Sequence, residues 1–282
     1  MRKFFPAIVL MLTLALPLGA GESSRSASCL PLHSLSPKKL AFQAGESLDF
    51  VFHYNWGIIN ADVARGSFTA DSSRLKKKDV FLVRMFGRTA KFYDAFFKVR
   101  EDFHSWFTCD GLVPMRFTRD TREGGYYCLN EYAFVHGANP HIAATIENSN
   151  LPQKSMEIPL GDCTFDPLTL LYLARNVDMS KVKPDVKIPM TFAIDDEVFN
   201  IYFVFKGKDT CKLPGIGTVG TLKFAIKVVA GEMFGDASED LFMWFSDDEG
   251  KVPVYLEAPL KIGKVTGRLE KYSGLKYPLN LK

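Results

Sequence analysis

The sequence predicts a mainly β fold: a large antiparallel, strongly curved sheet, an open barrel or a sandwich, with one short α-helix at about 166–176. Three observations predict it. Long stretches alternate apolar and polar residues with a period of two, the pattern of half-buried strands. Turn-forming clusters separate them at Asp110-Gly111, Glu123-Gly124-Gly125 and Asp247-Asp248-Glu249-Gly250, where hairpins need positive φ. Helical spacing is confined to one segment.

The first element is a targeting segment. Arg2 and Lys3 precede an apolar run from Phe4 to Leu18, and small residues follow at Gly19, Ala20 and Gly21. This is the layout of a secretory signal peptide over residues 1–20, with cleavage near Ala20. The run is shorter than the roughly 20 apolar residues of a membrane span, and no other segment reads as one. An uncleaved N-terminal anchor is the alternative. A lipidated cysteine would follow the apolar run directly, whereas Cys29 stands behind a polar stretch with Ser26 three positions before it; the expectation is no lipoprotein. The predicted location is the periplasm.

Residues 21–45 lack periodicity and read as a flexible leader. A single β-rich domain is expected over 46–282, with a soft boundary in a loop near 148–165 that would allow two fused lobes. In the first strand Leu48, Phe50, Phe52, Tyr54 and Trp56 alternate with Asp49, Val51, His53 and Asn55. Residues 90–98 fit a short helix or a strand start. Asp166 suits an N-cap and Pro167 the first helical position. Leu168, Leu171, Tyr172 and Arg175 then fall at helical spacing, and Asn176 can end the helix. Strand alternation returns at Ile188–Ile194, Phe199–Phe205, Leu222–Val228 and Val252–Ala258.

Lys and Arg total 35 against 32 Asp and Glu, so the chain carries +3. That near-neutral balance excludes a strongly basic nucleic-acid binder. None of the five cysteines forms a C-x-x-C pair, which argues against a zinc ribbon or thioredoxin-type site. Export permits disulfides. Cys109–Cys128 is the first candidate pair, because the two lie on neighbouring strand candidates; Cys163–Cys211 is the second, which leaves Cys29 over. Alternatively all are free and buried.

Local motifs nominate no chemistry. Gly215-Ile216-Gly217-Thr218-Val219-Gly220 matches G-x-G-x-x-G, but a strand pattern follows where a nucleotide site needs a helix. His136 and His141 flank a Gly- and Pro-containing loop and lack further ligands. Asp247, Asp248 and Glu249 lack the full calcium-loop series and read as solvated acids. No nucleophile elbow or H-E-x-x-H is present, and no cofactor is indicated. Carboxylates drawn from distant strands remain compatible with a glycan enzyme.

Arg74, Lys76, Lys77 and Lys78 form a basic run between two strand candidates. It is a solvated loop or, on the sharper reading, a contact for anionic lipid head groups or a charged polysaccharide. The 24 Phe, 10 Tyr and 3 Trp fill a core or line a groove for an apolar ligand.

Several ordered motifs resemble the DUF3108 family of exported bacterial proteins. They are Ala44-Gly45-Glu46-Ser47-Leu48, Phe96-Phe97-Lys98-Val99-Arg100-Glu101, Gly111-Leu112-Val113-Pro114 and Glu123-Gly124-Gly125-Tyr126. Asp166-Pro167-Leu168-Thr169-Leu170-Leu171-Tyr172, Met243-Trp244-Phe245-Ser246-Asp247-Asp248 and Lys251-Val252-Pro253-Val254 complete the series. The resemblance implies a Gram-negative envelope protein rich in antiparallel strands, and it carries over no catalytic residue. The leading expectation is a non-enzymatic periplasmic protein that binds an apolar or lipid-like ligand or supports envelope assembly. A closed-core module for an envelope protein partner is the alternative, and an enzyme on envelope glycans or lipids the third.

Overall fold

The computed structural model describes residues 29–57, 59–228, 241–259 and 263–282. The proposed signal segment and the leader up to residue 28 lie outside them. In chain order the strands are β1 (Glu46–Trp56), β2 (Ile59–Leu75), β3 (Lys78–Thr89), β4 (Val99–Thr108), β5 (Pro114–Glu123), β6 (Tyr126–Val135), β7 (His141–Asn148) and β8 (Leu151–Pro159). Then come β9 (Thr164–Phe165), β10 (Lys187–Ile194), β11 (Glu197–Leu213), β12 (Gly217–Val228), β13 (Leu241–Ser246), β14 (Pro253–Pro259) and β15 (Lys264–Ser273). Among the described residues two α-helices interrupt them, α1 (Lys91–Asp94) and α2 (Pro167–Ala174).

All fifteen strands form one sheet. It runs from β8 back to β1, then from β15 back to β9. Among the described residues only the β9–β10 pairing is parallel. The sheet curls so that β8 approaches β11, yet it is not closed into a barrel. Hydrogen-bonded neighbours follow one another along the chain because nearly every connection is a hairpin.

Alternation decides which side chains point inward. On β4, Glu101, Phe103, Ser105 and Phe107 are buried while Arg100, Asp102, His104 and Trp106 face out. β5 buries Phe117, Arg119, Thr121 and Glu123. The inner face packs around α2, which touches β4 from one half of the sheet and β10 from the other. Phe42, Phe81, Phe107 and Tyr172 form one contiguous aromatic group, with Phe42 and Tyr172 centroids 4.6 Å apart. Phe203 stacks on Phe224 at 4.3 Å. Each such ring contributes about 2–3 kcal/mol through burial. These inward aromatics serve as core.

The helix begins where expected. The Asp166 carboxylate accepts from the backbone N–H of Leu168 and Thr169, which satisfies two of the open donors of the first turn. Ser105 on β4 also donates to Asp166, at 3.0 Å, so the cap is tied to the sheet. The helix ends at Ala174, just before the expected 176, and Arg175 and Asn176 turn back into the core. Of the two forms open for residues 90–98, the structure has the short helix, α1, followed by a turn; β4 begins beyond them at Val99.

Four expectations need correction. The described part of the leader is not a flexible appendage: Leu40, Ala41 and Phe42 are buried. They follow no period because they cap the core as an irregular plug rather than joining the sheet. Residues 148–165 are not a loop, since they contain β8 and β9, the two edge strands. The β8 face is mostly exposed and polar, which blunts an edge and masks the apolar signal. Asp248 is not a solvated acid. Its Oδ1 accepts from Ser246, Gly250 and Lys251, and its Oδ2 from Asn280, so it builds the β13–β14 turn and anchors the C-terminal segment.

The fourth correction concerns the cysteines. Cys109 and Cys128 are free, and the disulfide joins Cys29 to Cys163 with Cα atoms 5.4 Å apart. Cys109 follows the far end of β4, whereas Cys128 on β6 lies level with Thr121 and Glu101, two strands away. That offset of eight residues is about 25 Å of strand, far beyond disulfide reach. Cys211 is also free, so the second candidate pair fails with the first.

Candidate anion-binding trough

Hairpin register assembles an unusual row on the outer face. Arg65 on β2 pairs with Arg88 on β3, Arg88 with Arg100 on β4, and Arg100 with Arg122 on β5. Four arginines thus stand side by side on four consecutive strands, about 4.8 Å apart. Across β1, Val51 and Arg268 continue the row. Two residues along the strands lies a second row: Asp49, Ser67, Phe86, Asp102 and Asp120.

The rows border a trough with a volume of about 670 Å³, lined by the four arginines and the second row together with Glu270 and Lys271. Gly66 and Gly87, direct partners, form part of its floor. A Cβ on Gly66 would come within 2.9 Å of the Phe52 ring, so glycine is required there by the interior packing beneath.

Like charges opposite one another on a sheet are destabilising. Acids offset three of the four: Glu270 pairs with Arg65, Asp94 with Arg100 at 2.6 Å, and Asp120 with Arg122 at 3.0 Å. Arg88 is exposed and makes no ion pair with the described residues. The trough therefore presents one uncompensated guanidinium between two braced ones. A guanidinium donates to phosphate or carboxylate in a planar, two-pronged geometry. The neighbouring aspartates accept hydrogen bonds from hydroxyl or ammonium groups.

The family model described as protein of unknown function (DUF3108) matches residues 49–270.

The chain belongs to the DUF3108 family.

A β-barrel-like DUF1849 protein from Brucella abortus is similar in fold to this DUF3108 protein, with a TM-score of 0.51 at 11% identity over 83% of this chain and 98% of that one. A candidate exported protein with YmcC-like fold from Bacteroides fragilis matches at a TM-score of 0.35 and 9% identity, covering 87% of this chain and 100% of its own. No curated protein sequence matches the chain.

A second polar group lies inside the curl. The β10–β11 hairpin places Asp195, at φ +51°, against β5 and β6. Asp195 Oδ1 accepts from Arg119 Nη1 at 2.9 Å, from Asn130 Nδ2 at 2.9 Å and from the Cys128 thiol at 3.2 Å. Arg119 donates to Thr121, whose hydroxyl donates to Glu101, and the buried Glu123 carboxyl is the neighbour whose charge acts on Glu101. Burial raises Glu101 to about 8 and Glu123 to about 7, with Arg119 pulling Glu123 back down. Burial also pushes the Cys128 thiol up to about 12, which makes it unreactive as a nucleophile. Glu101 Oε1 and Asp195 Oδ2 are buried without a hydrogen-bond partner. We read this group as the latch that seats the hairpin.

The basic run lies elsewhere. Lys76 and Lys77 form the β2–β3 hairpin tip at φ +49° and +66°. Arg74 pairs with Asp79 at 3.0 Å, and Lys78 opens β3. The tip is at the opposite end of β3 from Arg88, about 35 Å away along the strand, so the structure does not bring the run to the trough. Of the remaining motif residues, His136 bonds the Pro114 carbonyl, and Gly215 and Gly217 adopt positive φ at the β11–β12 hairpin, with strand on both sides. Sequence reasoning missed Arg65, Arg88, Arg100 and Arg122. Their signal is distance from predicted turns: Arg65 and Arg88 are equally far from the Lys76–Lys77 tip, and Arg100 and Arg122 stand opposite across the loop at Gly111.

Proposed function

We propose that this DUF3108 protein is an exported, non-enzymatic protein of the bacterial envelope, and that its outer trough binds the phosphate-bearing polar part of an envelope lipid or glycan. The single observation that carries the reading is Arg88, which has no ion-pair partner among the described residues, in the middle of the arginine row. On this reading the phosphate takes Arg88 and reorients Arg100 or Arg122, while the aspartate row receives the hydroxyls of a glycerol or sugar. Export is supported by the signal-like N-terminus and by a disulfide, which persists in an oxidising compartment. The ligand site moves from the interior, where the aromatics pack on one another, to the outer face.

Titration with inorganic polyphosphate tests the reading. The wild-type protein should bind it with an affinity that falls as salt rises, and R88S/R122S should bind at least about tenfold more weakly, as loss of a charge-assisted pair predicts. Equal affinity in both proteins would reject the trough.

One observation favours a second reading, an enzyme on envelope glycans or lipids. Asp102 and Asp120 are direct cross-strand partners within the trough. Asp120, however, is bound by two Arg122 nitrogens at 3.0 and 3.2 Å, which suits anchoring better than proton transfer.

A further inference from the structure

The trough has an apolar neighbour that its charges do not explain. Helix α1 connects β3 to β4, so it joins Arg88 to Arg100 across one end of the trough. Its side chains divide cleanly. Tyr93 packs against an inner cluster of buried side chains that includes Phe50, Phe52 and Trp244, and Phe97 lies beneath Gly124, where an added Cβ would meet its ring at 3.1 Å. Phe92 and Phe96 point the other way, 70% and 76% exposed, with ring centroids 5.7 Å apart.

The two exposed rings are held in place. Asp94 accepts from Thr89 Oγ1 and from both Arg100 terminal nitrogens, at 3.0 and 2.6 Å, and the backbone N–H of Val99 donates to Thr89 Oγ1 at 3.0 Å. This pins both ends of the connection. Lys91 and Lys98, with Arg88 just before them, are the exposed cations of the same connection, and its one acid, Asp94, is neutralised by Arg100. Soluble proteins rarely present a fixed, paired apolar surface without a use for it. Aromatic rings bordered by cations suit the boundary between acyl chains and anionic head groups.

We infer that α1 and the turn after it are a membrane-contacting tip, whose Phe92 and Phe96 enter the interface of an anionic bilayer and bring the trough onto its head groups. The inference rests on the trough as a phosphate site and deepens it: the phosphate comes from lipid head groups. The committed partner is a bilayer containing anionic phospholipid. A protein partner and a second copy of this chain are the competitors.

The test is co-sedimentation with vesicles of phosphatidylcholine alone and of phosphatidylcholine mixed with phosphatidylglycerol. The protein should bind the mixed vesicles and not the neutral ones. F92S/F96S should lose at least about tenfold of that binding, since two exposed rings leave the bilayer, while keeping its affinity for polyphosphate and its thermal midpoint. Emission from an F96W variant should shift to the blue on the mixed vesicles. Vesicle binding unchanged in F92S/F96S would overturn the inference. So would polyphosphate binding with no vesicle binding, an outcome that leaves the trough standing and returns the phosphate to a glycan or soluble source. Self-association abolished by F92S/F96S, without vesicle binding, would assign the rings to a second copy. Vesicle binding that survives R88S/R122S, in a protein that does not bind polyphosphate, would reject the trough itself.

Discussion

Arg175 and Glu46 form a fully buried, two-pronged ion pair between residues 129 positions apart, with Nη2 and Oε2 separated by 2.8 Å. The guanidinium also donates to the carbonyls of Gly250 and Ala41 and lies over the rings of Phe42 and Tyr172. One side chain at the end of α2 thus fastens the leader, the start of β1 and the β13–β14 turn.

Removing one partner should leave a charge buried without compensation. E46L and R175M are each expected to lower stability to urea by about 3–5 kcal/mol. The double variant E46L/R175M should cost less than the sum, because neither charge then remains. Additive losses in the double-mutant cycle would show that the two side chains act independently.

The latch around Asp195 makes stability depend on pH. Glu101 and Glu123 start from an ordinary value of 4.5 and are raised to about 8 and about 7, chiefly by burial. From pH 4.5 to about 8 the folded protein therefore holds protons that the unfolded chain releases. Stability falls as pH rises through that window and is unaffected by these groups below it. E123Q keeps the side chain's shape and removes the charge. It should be more stable than wild type by on the order of 2 kcal/mol at pH 8, with the gain vanishing near pH 4 in denaturant titrations at the two values. A gain equal at both would show that ionisation is not its cause.

The Cys29–Cys163 bond spans 134 residues and fixes the start of the plug to the β8–β9 connection. C29S/C163S is expected to lower stability by about 2–5 kcal/mol. C109S should change it little, because that thiol is free and only partly buried. A thermal scan of the oxidised wild type beside both variants decides this.

Much of the fold was legible in the sequence, for an identifiable reason. β1, β10 and the first part of β11 alternate cleanly because one face is core, and Asp166-Pro167 marks the start of α2 by local chemistry. The plug at Leu40–Phe42 was not legible, because irregular chain buried against a core has no period. The inner latch was half legible. Phe103 and Phe107 fix the phase of β4, which already turns Glu101 inward, but nothing local brings Asp195 to Arg119. The arginine row was illegible to a motif search. Its members lie on four strands, and only hairpin register turns their separations into a line.

The central claim is that the outer trough, through Arg88, holds a phosphate group. The most direct measurement follows the arginine side-chain N–H resonances by NMR while a short-chain phosphatidylglycerol, below its micelle concentration, is added. The account predicts that Arg88 shifts first and furthest, with Arg100 and Arg122 following at the same ligand concentration and Arg175 and Arg119 unmoved. Shifts confined to Arg74 and the Lys76–Lys77 hairpin, or spread over the interior, would contradict it.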